Sequence, residues 1–230
     1  MMPMVYLDHS ATTPLDPEVL QAMMPYLTDE FGNASSVYGL GQTARQAIDQ
    51  ARDEVAAFYG VEAREIIFTS GGTEGDNLAL RGIARRNADR GRHVITSTIE
   101  HDAVLRSAES LERDGFEVTR LSVDRFGSVD PDALRDALRP DTILVSIMHA
   151  NNEIGTIEPI SDLVAVTRKH SDAYFHTDAV QSTGKIATRL DELGVDLLSM
   201  SAHKLHGPKG TGCLVARSVG RWVGATSAPG

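Results

Sequence analysis

The stretch that decides the fold is Thr142-Ile143-Leu144-Val145-Ser146-Ile147-Met148-His149-Ala150-Asn151-Asn152-Glu153-Ile154-Gly155-Thr156. Its first half is a nearly continuous apolar strand. A strand apolar on both faces is normally covered on both sides by helices. Its second half turns densely polar where the strand ends. The same alternation repeats outward in both directions. Ile66-Ile67-Phe68 precedes a helical pattern from about Glu74. Val94-Ile95 precedes Val104, Leu105, Ala108 and Leu111, which share one helix face. Val118 opens a further short strand. Asp130-Pro131 reads as an N-cap with proline at the first helical position, leading into Leu134, Ala137 and Leu138. Leu163, Val164 and Thr167 predict the next helix. Tyr174-Phe175-His176, Leu197-Leu198-Ser199-Met200 and Gly212-Cys213-Leu214-Val215 predict the remaining strands.

These elements predict an α/β fold with a mostly parallel sheet covered by helices on both faces. The first sixty residues differ. Asp16-Pro17 starts a helix with Val19, Leu20 and Met23 on one face, and a long helix is predicted over 42–59. They form a helical arm leading into the sheet. The expected division is an N-terminal segment over 1–15, one large domain over 16–216 and a disordered tail over 217–230, where the pattern fades into Gly, Ser, Ala and Pro.

Composition narrows the function classes. The 230 residues are 41% hydrophobic and 23% charged, as in ordinary globular proteins. The formal net charge of -10 disfavours nucleic acid as a partner. Cys213 is the only cysteine, so an intrachain disulfide is impossible and a reducing compartment is expected. The start of the chain does not read as a signal peptide, and no apolar run is long enough to span a bilayer. A cytoplasmic enzyme, not membrane-bound, is the simplest class.

In parallel sheets, ligands sit beyond the carboxyl ends of the strands. Five groups lie there. Thr69-Ser70-Gly71-Gly72-Thr73-Glu74 joins a strand to a helix, and such a glycine-rich helix start suits a phosphate or a plain capped turn. His101, in Glu100-His101-Asp102, suits ring stacking, acid–base work or a surface helix start. The Asn151-Asn152 turn is the third group. Asp178, with Gln181 after it, suits a heterocycle nitrogen or an N-cap. Lys204, in Ser201-Ala202-His203-Lys204-Leu205-His206-Gly207-Pro208-Lys209-Gly210, suits Schiff-base chemistry or a surface charge. His176, Asp178, His203 and His206 are metal-ligand types, but no close ligand pair supports a metal.

In order, these segments resemble the cysteine desulfurases, members of the class V aminotransferase group of fold-type I pyridoxal-phosphate (PLP) enzymes. The resemblance rests on Tyr6-Leu7-Asp8-His9-Ser10-Ala11-Thr12-Thr13-Pro14, Gly32-Asn33-Ala34-Ser35-Ser36, Thr69 through Asn77, Glu100-His101-Asp102-Ala103-Val104, Asn151 through Thr156, His176-Thr177-Asp178-Ala179-Val180-Gln181 and Ser201 through Gly210. It implies the PLP-dependent transferase large-domain fold. It also implies that Lys204 bonds the cofactor and shuttles protons, and that Asp178 pairs with the pyridine nitrogen. Gln181 would bond the ring oxygen, and His101 would stack on the ring and take part in proton transfer. Gly72, Thr73, Ser201 and His203 would hold the phosphate, and Asn152 would line the ring. The implied substrate is L-cysteine, giving L-alanine and an enzyme persulfide. The implied partners are an iron–sulfur scaffold or other sulfur acceptor protein and, in the complete form, a second copy in a homodimer.

Chains of that family continue further. Their later part carries a catalytic cysteine on a mobile loop, an arginine for the substrate carboxylate and a threonine for the neighbouring subunit's phosphate. None has a counterpart here, and Cys213 lies too early to be the persulfide cysteine. A C-terminally truncated family member is therefore expected, which argues against desulfurase turnover by this chain alone. A transaminase, a selenocysteine lyase and a non-catalytic PLP-binding or partner-binding fragment are the alternatives.

Overall fold

The computed structural model describes residues 5–217. Of the tail expected over 217–230 only Arg217 is among them, its N–H donating to the Asp196 carbonyl at 2.8 Å; the rest of that tail and the first four residues lie outside them. Among the described residues, seven strands form one sheet: β1 (Ile66–Thr69), β2 (His93–Ser97), β3 (Glu117–Leu121), β4 (Thr142–Ser146), β5 (Tyr174–Asp178), β6 (Leu197–Ser201) and β7 (Gly212–Ala216). Their order across the sheet is β1-β7-β6-β5-β4-β2-β3. The pairs from β6 through to β3 are parallel, and β7 runs antiparallel between β6 and β1. All the predicted strands form, and the sheet is mostly parallel as expected.

The described helices are α1 (Pro17–Thr28), α2 (Gly39–Tyr59), α3 (Gly72–Arg86), α4 (Asp102–Arg113), α5 (Pro131–Ala137), α6 (Ile160–His170) and the short α7 (Leu190–Leu193). The caps behave as the sequence requires. Asp16 accepts from the Glu18 N–H and Asp130 from the Asp132 N–H, each with proline opening the helix. α2 ends at Gly60 in the left-handed conformation.

Strand alternation divides the apolar residues between two cores. Ile95, Val145, Phe175, Leu198 and Val215 face one side and pack with Leu134 of α5, Leu163 of α6 and Tyr59 of α2. Val94, Leu144, Leu197 and Leu214 face the other and pack with Leu80 and Ile83 of α3 and Val104 and Leu111 of α4. Every residue of β2, β4 and β7 is buried. Both sheet faces are therefore covered.

The arm is different. α1 buries none of its residues. Leu20, Met24, Tyr26, Leu27, Phe31, Val37 and Tyr38 are all exposed. An apolar surface of this extent normally finds a partner.

This packing has two measurable consequences. Phe175→Ala should cost about 3–5 kcal/mol of stability, read by denaturant unfolding, because it empties the centre of one core. The purified chain should self-associate in sedimentation, and a dispersed monomer would contradict the reading of the arm.

Candidate active site

The strands β1, β2, β4, β5 and β6 all end on the same edge of the sheet, and a cavity of about 510 Å³ opens there. It brings together the nine residues singled out from the sequence: Gly72, Thr73, His101, Asn152, Asp178, Gln181, Ser201, His203 and Lys204.

One side is a glycine-opened helix start, a geometry that suits an anion. β1 leads through Gly71 into the first turn of α3. Gly71 has φ 148°, a region that only glycine adopts with ease. A side chain at Gly72 would come within 2.5 Å of Val180 Cγ2, so the backbone lies directly on its neighbour. The first N–H groups of α3 are left pointing out of its end, and the dipole there favours negative charge. Glu74 turns back to accept from the Ser70 N–H at 2.6 Å, which keeps its carboxylate on the turn. The Thr73, Ser201 and His203 side chains border the same space. Burial, followed by the charges of Lys204 and Lys209, holds His203 below the usual imidazole range.

The floor is acidic. Asp178 ends β5, is buried, and accepts from the Val180 N–H at 2.9 Å. Burial raises its pKa, while that hydrogen bond and the charges of His101 and Lys204 oppose the rise. Asp76 of α3 lies on the same cavity and is also buried.

Lys204 sits in a short 3-10 turn, Ala202–Lys204, after β6. Burial and the nearby Lys185 hold its amine below the usual lysine range. Its Nζ donates to the Ser10 carbonyl and, at 2.8 Å, to the Ala11 carbonyl. Gln181 Nε2 donates to the same Ser10 carbonyl at 2.9 Å. The N-terminal segment thus straps the mouth of the cavity. Thr13 donates from both N and Oγ1 to the His203 carbonyl at 2.9 Å, and His203 Nδ1 pairs with Thr12 Oγ1 at 3.0 Å.

His101 is the N-cap of α4, its Nδ1 accepting from the Ala103 N–H at 3.1 Å. Behind it, the buried Glu100 accepts from Ser97 Oγ at 2.6 Å and from the Met148 N–H at 3.0 Å. Burial is the main reason its pKa is pushed up to about 8. Cys213 lies buried in β7, with its thiol pushed up to about 12 by burial.

Sequence reasoning missed Asp8, Ser10, Ala11, Asp76 and Glu153 as lining residues. Asp76 was within reach of it. It lies one helical turn after Gly72, and residues four apart share a helix face. The strap was not, because its contacts join residues some 190 positions apart.

A family model described as "Aminotransferase class-V" matches residues 5–222. The cysteine desulfurase IscS of Dictyoglomus turgidum is 57% identical over 213 residues, covering 93% of this chain and 54% of that protein. That of Methanosarcina thermophila is 55% identical over 213 residues, covering 93% and 52%. A solved structure described as "SspA in complex with cysteine" superposes with a TM-score of 0.90 at 42% identity, covering 93% of this chain and 61% of that one. A NifS-like protein gives 0.91 at 43% identity, covering 93% and 59%. The chain spans about half the length of the curated relatives it matches.

Glu100 makes the pH dependence of stability testable. The folded chain keeps its proton up to about 8, whereas the unfolded chain releases it near the ordinary 4.5. This contribution is therefore present at low pH and lost as pH rises through that window, by at most about 1.4 kcal/mol per pH unit. Glu100→Gln should flatten that slope in denaturant titrations at several pH values. Gly72→Ala, which crowds Val180, should cost about 1–3 kcal/mol and weaken phosphate binding measured by calorimetry.

Proposed function

The chain belongs to the aminotransferase class-V family, and we propose that it forms the cofactor-binding part of a PLP-dependent cysteine desulfurase. The observation that carries this reading is the meeting of Lys204, Asp178 and the glycine-opened start of α3 in one cavity. The residues present fit PLP. The cradle at Gly71-Gly72 leaves no room for a side chain at Gly72 and offers backbone donors to a phosphate. Asp178 is a buried acid suited to a protonated ring nitrogen. Lys204 is an amine held below its usual range, which favours the neutral, nucleophilic form.

When bound, PLP supplies an electron sink next to the substrate Cα. Gly72, Thr73, Ser201 and His203 would hold its phosphate. Asp178 would hold the proton on the ring nitrogen, and Gln181 Nε2 would donate to the ring oxygen. Lys204 Nζ would bond the cofactor and move a proton at the substrate Cα. His101 would cover the ring and exchange a proton with the substrate, and Asn152 would line that side. L-cysteine is the proposed substrate. The solved SspA complex with cysteine, whose chain is 42% identical to this one, supports that choice. The sulfur acceptor would be an iron–sulfur scaffold protein, the working form a homodimer and the compartment the cytoplasm.

One observation favours a second reading, a chain that binds PLP without completing sulfur transfer. Sulfur abstraction needs a thiolate. The chain's single cysteine, Cys213, is buried in β7 and strongly disfavours ionisation.

The test is a visible absorption spectrum of the purified chain with PLP. A band of covalently bound cofactor is expected, and it should vanish in Lys204→Ala. Its absence from the unaltered chain would overturn the proposal. Adding cysteine separates the two readings. Alanine and sulfide released at an ordinary enzymatic rate would exclude the non-catalytic one.

A further inference from the structure

Asp76 has no role in the function proposed above, yet its carboxyl lies on the cavity and is only 1% exposed. Its Oδ1 has no hydrogen-bond partner. The surrounding groups explain how it is held. Gly75 lets α3 approach β6 closely, since a side chain there would lie 3.0 Å from Ser199 Oγ. His176 of β5 is fully buried and bonded at both ring nitrogens, Nδ1 to Ser146 Oγ at 2.9 Å and Nε2 to Ser199 Oγ at 3.0 Å. His176 Nε2 also lies 3.6 Å from Asp76 Oδ1. A carboxyl oxygen at that distance favours the proton on Nε2. Ser199 Oγ then accepts from His176, and its own proton is free to turn toward Asp76.

Asp178 pairs with Ser199 across β5 and β6, so the two carboxyls border one floor. Two ionised carboxylates cannot share a buried site at ordinary cost, and one of them keeps its proton. We propose that Asp76 is a positioning residue of this floor: the Ser146–His176–Ser199 chain holds its carboxyl beside Asp178, and the pair shares one proton and shows a single negative charge to the ligand. The inference rests on the PLP reading for its purpose. A single charge matches one protonated ring nitrogen, whereas two would call for a divalent cation.

The facing groups agree with this assignment. Burial, and next the charge of Asp178, put Asp76 well above the ordinary carboxylate range, with Glu100 adding to the rise and the Ser199 hydroxyl opposing it. His176 is no counter-cation, because burial holds it down to about 3. Asp178 accepts from the Val180 N–H at 2.9 Å while Asp76 Oδ1 has no partner, so the negative charge rests on Asp178 and the proton on Asp76.

Infrared spectroscopy of the full chain at neutral pH, without added ligand, tests the proposal. Carbonyl stretches of protonated carboxyls should be present; one should vanish in Asp76→Asn and persist in Glu100→Gln, which removes only the separate band of Glu100. In Ser199→Ala the Asp76 band should move, because the hydroxyl turned toward it is gone. A well-folded Asp76→Asn that keeps every protonated-carboxyl band would overturn the proposal. If that variant does not fold, an unmoved spectrum in Ser199→Ala would overturn it instead. Because no PLP is added, failure here leaves the cofactor reading standing. Failure of the visible spectrum leaves the shared proton standing.

Discussion

In a sheet covered on both faces, a side chain can meet a ligand only where its strand ends, and this constraint orders the rest of the molecule. The central strands β4, β5 and β6 are almost wholly buried. The polar groups inside them must therefore find each other. His176 does so by bridging Ser146 and Ser199, and Thr177 Oγ1 donates to the Ile147 carbonyl at 2.8 Å. Beyond the strand ends the ladder continues far enough to aim the next residues, with the His149 N–H on the Asp178 carbonyl and the Ala179 N–H on the Ser199 carbonyl. The cavity floor is the edge of that hydrogen-bonded layer.

Charge within the site is arranged by the same burial. Carboxyls withdrawn from water hold their protons more tightly, and amines and imidazoles hold theirs less tightly. Asp76, Asp178 and Glu100 are shifted upward, while His203 and Lys204 are shifted downward. Acids that hold protons more tightly and a lysine that holds its own less tightly make a site suited to moving protons.

Much of the fold is legible in the sequence because its signals are local. Asp16-Pro17 and Asp130-Pro131 cap their helices through the next backbone N–H groups, which needs no distant partner. The strands are visible as apolar runs, and Lys204 and Asp178 stand out because each follows one of those runs directly. The fate of Val19, Leu20 and Met23 is less legible. They mark one helix face, but within the described residues Val19 and Met23 are only partly buried and Leu20 is exposed. The approach of Asp76 to His176 is hidden for another reason. Helix periodicity puts Asp76 on the face of Gly72, but the two side chains meet only when α3 is laid across β5. The strap is hidden most deeply, since Ser10 and Ala11 contribute backbone carbonyls and a backbone carbonyl carries no residue signature.

That strap also has a bearing on how the protein is made. Thr12 and Thr13 find their partners at His203, some 190 positions later. A ribosome working from the N-terminus releases the strap long before the turn that receives it. The mouth of the cavity can be finished only after nearly all of the described chain has emerged, which makes it one of the last features of the nascent protein to settle.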